Sequence, residues 1–120
     1  MAHTPRTKTL WIKDEYLGQI LAGHKTVEVR VGYSNILRLR EGDLLLLNGE
    51  HRYRITRIAH YADFADLLAH EDPATIAPDL SPEELLPALR AIYPPAKEAL
   101  GVVALEIEPV PETPVKSTGG

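Results

Sequence analysis

The dipeptide Asn48-Gly49 constrains the fold most strongly, because it separates two segments that have the residue patterns of β-strands. Residues 43–48 contain a run of four leucines, and residues 52–60 alternate in character along the chain. Asn-Gly favours the type I′ turn, whose twist matches that of a two-residue antiparallel hairpin. The sequence therefore predicts a central β-hairpin whose first strand is buried on both faces.

Three further segments have strand patterns. Residues 8–13 contain an apolar triplet centred on Trp11, which predicts a buried strand with the tryptophan in the core. Residues 25–31 alternate strictly, with valines at 27, 29 and 31 on one face and polar side chains on the other. Residues 102–108 alternate in the same way. With the hairpin, the chain is predicted to contain five short strands.

Helices are predicted between these strands. Residues 14–22 have apolar side chains at helical spacing and end at Gly23, and residues 62–70 form a second short helix. The run SPEE at 81–84 is a capping box with proline at the first helical position, so a third helix begins there and continues to about Ile92. Five short strands with helices between them predict an α+β fold, a small, partly closed barrel with helices on its rim. Closing the sheet removes strand edges that would otherwise be exposed.

The chain of 120 residues is predicted to be one domain, because chains usually divide only beyond about 250 residues. We expect the domain to cover residues 8–108 and the proline-containing segment 109–120 to be a disordered tail. The longest apolar run, Leu44 to Leu47, is far shorter than the ~20 residues that a membrane span needs. We therefore expect no membrane partner.

Several kinds of chemistry lack the residues they need. Cysteine is absent, which excludes disulfides, thiolate metal sites and cysteine nucleophiles, and which fits a reducing, cytoplasmic setting. The five histidines have no metal-ligand spacing, and no dinucleotide-binding, P-loop or serine-hydrolase motif occurs. We expect neither a metal nor a cofactor.

The charges are distributed unevenly along the chain. Residues 1–60 contain 10 Lys and Arg against 6 Asp and Glu, a balance of +4, whereas residues 61–120 contain 3 against 11, a balance of −8. A basic first half indicates an anionic partner for that half. The alternative is that both halves are ordinary solvated faces of one domain.

Lys25, Glu28 and Arg30 are the main candidates for a site. Lys25 begins a strand just after a helix end, which is an exposed position on a barrel rim. An ammonium in that position can bind phosphate or polarise a carbonyl, and if it is desolvated it can act as a base. Arg30 has donors for phosphate or a base edge, and Glu28 can accept from an amino group. The alternatives are a solvated lysine and a surface ion pair.

The geometry of this trio depends on the backbone. A regular strand places Lys25 and Glu28 on opposite faces, so they converge only if the chain bends at Thr26 or the lysine reaches round the rim. Thr26 offers the only hydroxyl of the segment, although it is more typical of a β-branched strand residue. Tyr33 can stack on a base or pack half-buried. Four arginines either steer an RNA backbone or protect an edge strand: Arg38, Arg40, Arg52 and Arg54.

The segment from Gly23 to Arg30, with Gly-x-Lys-Thr followed by Glu-x-Arg, resembles the ASCH family of PUA-like domains. Gly42-Asp43 before the next strand, Trp11 in the first strand and Ile92-Tyr93-Pro94 late in the chain fit the same pattern, so the resemblance covers about residues 8–108. It implies a small PUA-like barrel of five mixed or antiparallel strands with two to three short helices on the rim. It also implies a role with RNA, a nucleoside or a nucleotide.

Within the family, the chain is most similar in length and layout to small, stand-alone bacterial proteins that are amidohydrolases of 4-N-acetylcytidine. Lys25 matches their catalytic lysine, whereas Glu28 occupies the position of their nucleophilic threonine, and no glutamate is found near Pro78-Asp79, where they have one. The resemblance implies a domain that binds RNA or a modified nucleoside along the Gly23–Arg30 segment. One alternative is a hydrolase of 4-N-acylated cytidine or of single-stranded RNA, with Lys25 and Glu28 as acid and base. The other alternative is a protein-interaction domain.

Overall fold

The central hairpin is present in the computed structural model, which describes residues 4–111. Asn48 and Gly49 have positive φ angles of 53° and 76°, and a type I′ turn needs a positive φ at both central residues. The turn joins β3 (Leu44–Leu47) to β4 (His51–Tyr61), and the two strands pair antiparallel. The predicted hairpin is confirmed.

Short strands and helices make up the rest of residues 4–111. These elements are β1 (Thr7–Leu10), α1 (Asp14–Leu21), β2 (Val27–Val31), α2 (Ser34–Leu37), α3 (Phe64–His70), α4 (Pro73–Ile76), α5 (Pro82–Ile92), α6 (Pro95–Glu98) and β5 (Val102–Pro109). The capping box is present, because Ser81 accepts from the Glu84 N–H and Glu84 accepts from the Ser81 N–H. Between α3 and α5, the segment 71–80 contains the single turn α4. None of these helices is long and apolar enough to cross a membrane.

The strands form one curled, mixed sheet in the order β1-β3-β4-β5-β2. β1 pairs parallel with β3, and the other neighbours pair antiparallel. A register shift between Ile55 and Arg57 interrupts the long β4–β5 pairing, and such irregularities bend a strand and increase its twist. The sheet is a half-barrel with β1 and β2 as its two edges, so the predicted α+β fold with a partly closed barrel is confirmed.

Two apolar clusters cover the two faces of the sheet. One fills the concave side, where β3, β4 and β5 pack against α1 and α2. The other lies between the opposite face and the helices α3, α4 and α5, and it contains Val27, Val29 and Val31. The alternation predicted for β2 is therefore correct, and it directs Glu28 and Arg30 away from this helix-covered face.

The first strand of the hairpin is buried on one face only. Leu45 and Leu47 are fully buried, whereas Leu44 and Leu46 are half-buried beside Arg54 and Arg52 of β4. The prediction of burial on both faces was wrong, because α1 and α2 cover the concave side while no helix within residues 4–111 covers this part of the convex side.

The end of the described chain overlaps the predicted tail. β5 continues through Pro109, and the N–H of Val110 donates to the carbonyl of Arg52 at 3.0 Å. The rest of the predicted tail, residues 112–120, lies outside the described residues. Disorder of that tail stays a prediction.

Candidate functional site

A pocket of about 190 Å³ opens beside the edge strand β2, and we call it the edge pocket. The polar side of the edge pocket is formed by Lys25, Glu28 and Arg30. Its remaining walls come from the β1–α1 connection, from Tyr16 of α1, and from apolar residues of α4 and α5. The pocket is thus a mainly apolar cleft with one polar strip, and Lys13 is the charged residue of its β1–α1 wall.

Lys25 lies at the closed end of this strip and is only 5% exposed. Its ammonium donates to the carbonyls of Val27 and Ile76, each at 2.7 Å, and its Nζ is 3.2 Å from Oε1 of Glu28. Burial lowers the pKa of Lys25, while the carboxylate of Glu28 acts in the opposite direction. The expectation of an exposed rim lysine was wrong, because the ammonium is enclosed and has a partner for each of its three protons.

Glu28 joins Lys25 to Arg30. One carboxylate oxygen, Oε1, meets the lysine, and the other, Oε2, accepts from Nε of Arg30 at 2.9 Å and lies 2.8 Å from its Nη2. Nη2 of Arg30 also donates to the carbonyl of Trp11 at 3.1 Å. Within residues 4–111, no hydrogen bond or ion pair is made by Nη1 of Arg30, and this residue lines the edge pocket.

The turn after α1 explains why Lys25 and Glu28 converge. Gly23 adopts a positive φ of 83°, and the N–H of Lys25 bonds back to the carbonyl of Gln19 at 3.1 Å. The strand itself begins only at Val27. Lys25 is therefore outside the alternation of β2, and its side chain reaches Glu28 from the helix end.

The backbone of β2 adds a second polar element to the edge pocket. The carbonyl of Thr26 accepts from the N–H of Ile107, and the N–H of Gly32 donates to the carbonyl of Gly101, both towards β5. Residues of a strand direct their N–H and C=O groups to alternate sides. The N–H and C=O of Val29 therefore point to the open edge, where this residue lines the pocket.

Comparisons with known proteins agree with this architecture. A model of the ASCH domain matches residues 10–111. The chain belongs to the ASCH family. Domains of this PUA-like family are often associated with RNA binding. A search of curated proteins found no match to the chain.

Two solved structures are similar to this ASCH domain along most of their length. The crystal structure of hypothetical protein PH0355 has a TM-score of 0.80 and 29% sequence identity, over 88% of this chain and 99% of that one. The solution NMR structure of protein PF0455 from Pyrococcus furiosus has a TM-score of 0.73 and 29% identity, over 87% and 97% of the two chains. The predicted family membership and PUA-like fold are confirmed.

The remaining candidate residues of the ASCH domain do not line the edge pocket. Tyr33 lies on the far side of Arg30, where its ring is 5.4 Å from the ammonium of Lys97. Thr26 supplies backbone bonds to Thr75 and to β5. The four other arginines lie elsewhere: Arg38 and Arg40 before β3, and Arg52 and Arg54 on the convex face of β4.

Most residues of the apolar wall were not predicted from the sequence. Trp11 was expected in the core, but it is 71% exposed at the edge pocket. Leu10 and Ile12 are buried, so the alternation of an extended segment turns Trp11 to the other side, and this alternation was a usable signal. Burial raises the pKa of Tyr93, another wall residue. Its placement depends on how α5 packs, for which the sequence carries no local signal.

Proposed function

We propose that this ASCH domain binds one unpaired nucleobase, presented by single-stranded RNA or by a modified nucleoside, in the edge pocket. The pocket of about 190 Å³ is smaller than the roughly 300–1,000 Å³ typical of sites for drug-sized ligands. That volume favours a single ring system with part of its sugar. The apolar walls suit the faces of a base, and the polar strip suits its hydrogen-bonding edge.

The unused Nη1 of Arg30 is the observation that carries this proposal. An arginine whose Nε and Nη2 are already held by a carboxylate and a carbonyl is fixed in orientation, and it can offer its remaining donors without loss of side-chain freedom. Glu28 adds a carboxylate with lone pairs that can accept from an exocyclic amino group. Val29 adds one backbone donor and one acceptor.

The test is a calorimetric titration of the common ribonucleosides and 4-N-acetylcytidine into the wild type and Arg30→Gln. Loss of a hydrogen bond to a charged group costs about 1.5–3 kcal/mol, so we expect the variant to bind at least tenfold more weakly. Arg54→Gln is the matched control, because this arginine pairs with Glu108 on the convex face. Equal affinities of wild type and Arg30→Gln for every ligand that binds would contradict the proposal.

A hydrolase is the second candidate, favoured by the pair of Lys25 and Glu28. Their atoms lie 3.2 Å apart in the pocket wall, and burial lowers the pKa of the lysine, as is common for catalytic bases. If this pair is catalytic, 4-N-acetylcytidine is converted to cytidine and acetate, and Lys25→Met abolishes the conversion. Chromatography of the product after prolonged incubation distinguishes turnover from binding alone. Unchanged substrate would exclude this amidohydrolase activity.

A further inference from the structure

A second cavity, of about 260 Å³, adjoins the edge pocket. The two cavities share Trp11, Arg30 and Tyr93 in their walls. The side chain of Arg30 spans from β2 to the carbonyl of Trp11 and therefore lies between them. We call the second cavity the side pocket. A ligand that fills the edge pocket and continues past Arg30 enters the side pocket.

The side pocket differs from the edge pocket in its acidic groups. Among residues 4–111, its lining contains Lys8 and Arg30 but no aspartate or glutamate, whereas the edge pocket has the carboxylate of Glu28 beside its cations. Within residues 4–111, the side-chain ammonium of Lys8 makes no hydrogen bond or ion pair, although its backbone belongs to the β1–β3 ladder. A cavity with an unpaired ammonium, the edge of a guanidinium and no carboxylate suits an anionic group such as a phosphate.

Trp11 stands at the junction with its backbone fixed. The side-chain amide of Asn48 accepts from the N–H of Ile12 at 2.7 Å and donates to the carbonyl of Ile12 at 2.9 Å. The carbonyl of Trp11 itself accepts from Arg30. An exposed indole on a fixed backbone is a low-entropy surface on which a second base can stack.

We infer that the side pocket binds the phosphodiester and the neighbouring nucleotide of a strand whose base occupies the edge pocket. This inference rests on the proposed function and makes it more specific. The ligand is then a single nucleic-acid strand of at least two nucleotides, and not a free nucleoside. Lys8 and one N–H of Nη1 of Arg30 face the phosphate, the second N–H of Nη1 stays with the base in the edge pocket, and Trp11 stacks on the second base.

The experiment compares ribonucleosides, nucleoside monophosphates and dinucleoside monophosphates as ligands of the full chain. Calorimetry measures their affinities for wild type, Lys8→Gln, Trp11→Ala and the control Arg52→Gln, an exposed arginine on the convex face. We expect dinucleoside monophosphates to bind at least tenfold more tightly than nucleosides. Lys8→Gln should remove most of that gain and leave nucleoside affinity within twofold, and Trp11→Ala should weaken dinucleoside binding more than monophosphate binding.

Three outcomes would overturn the side-pocket inference without refuting the proposed function, and a fourth would refute both. If nucleosides and dinucleoside monophosphates bind equally, the side-pocket inference is overturned while the edge pocket stands. If monophosphates bind as tightly as dinucleoside monophosphates and Trp11→Ala changes neither affinity, the inference that the ligand is a strand is overturned, and a free nucleotide is the ligand instead. If Lys8→Gln and Arg52→Gln weaken binding alike, only general electrostatic attraction is present and the inference fails. Absence of binding by every ligand refutes the proposed function and the inference together.

Discussion

Glu28 and Glu71 are buried glutamates of this ASCH domain that each pair with an arginine, and they differ in what that arginine leaves free. Glu28, in the edge pocket, is 9% exposed, and Glu71, at the end of α3, is 7% exposed. Arg57 donates to both oxygens of Glu71, at 2.9 and 2.7 Å, and its Nε donates to Glu106 at 2.6 Å. Every nitrogen of Arg57 therefore has a partner, whereas Nη1 of Arg30 has none among residues 4–111.

The surroundings of the two clusters differ in the same sense. The hydroxyl of Tyr61 donates to Glu71 at 2.5 Å, so the carboxylate is enclosed by three donors that tie the end of α3 to β4. Neither Glu71 nor Arg57 lines the edge or side pocket, whereas Glu28 lines a pocket of about 190 Å³. An arginine whose nitrogens all have partners stabilises the fold, whereas an arginine with an unbound donor beside a cavity can bind a ligand. The same pair of residue types can therefore have either role.

The largest effect is expected from Lys25→Ala. An exposed lysine would be dispensable for the fold, but the ammonium of Lys25 is buried and bonds two carbonyls and Glu28. Removing one partner of a buried ion pair costs about 3–5 kcal/mol. We expect chemical denaturation to report a loss of that size. A loss below about 1 kcal/mol, the range of surface pairs, would show that the cluster is not held by Lys25.

Glu71→Gln tests the cluster of Glu71 and Arg57, which we call the closed cluster because every nitrogen of the arginine side chain has a partner. Its bonds to Arg57 lower the pKa of Glu71 below the ordinary 4.5. Below pH 4.5 the unfolded chain then binds more protons than the folded one, so this contribution is complete above pH 4.5 and is lost as pH falls through the lowered pKa. At pH 7 we expect the variant to lose about 1.5–3 kcal/mol of stability.

The control for this variant is ligand binding. Melting curves of wild type and Glu71→Gln should differ at pH 7 and approach each other in acid, while nucleoside affinities stay equal at pH 7. A constant difference in stability at all pH values would contradict the role assigned to the charge of Glu71. A weakened affinity would contradict the separation of the two clusters.

Arg30→Lys tests the cluster of Glu28 and Arg30, which we call the open cluster because Nη1 of the arginine has no partner among residues 4–111. Lysine keeps the charge but lacks the guanidinium fork, so it cannot hold Glu28 and the carbonyl of Trp11 while it offers a donor to a ligand. We expect a loss of about 1.5 kcal/mol in nucleoside affinity, with a smaller change in stability. Quenching of the single tryptophan, Trp11, on ligand addition is the measurement. Full affinity with lysine would mean that charge alone suffices.

The smallest effect is expected from Arg54→Gln. Arg54 and Glu108 are 3.2 Å apart with half-exposed side chains, and such surface pairs contribute about 0–1 kcal/mol. The variant should change neither affinity nor melting temperature appreciably. It provides the baseline against which the two buried clusters are compared. A large loss of stability would assign the convex face a role that its exposure does not indicate.

The sequence by itself determined the features that depend on neighbouring residues. The Asn48-Gly49 turn, the capping box at Ser81 and the alternation of β2 were predicted correctly, because turn dihedrals, caps and strand faces are set within a few residues. Family membership followed from the segment that contains Lys25, Glu28 and Arg30. The structure brings these three residues together along the polar strip of the edge pocket, and their role in binding stays a prediction.

Only the tertiary structure decided which of these side chains are buried and which meet. Lys25 is buried because α4 brings the carbonyl of Ile76 over it, and Trp11 is exposed because none of the elements within residues 4–111 covers its indole. Arg52 and Arg54 are separated from the pocket because β5 lies between β4 and β2 in the sheet. Burial and charge pairing depend on elements distant in sequence, and no local pattern specifies which element covers which.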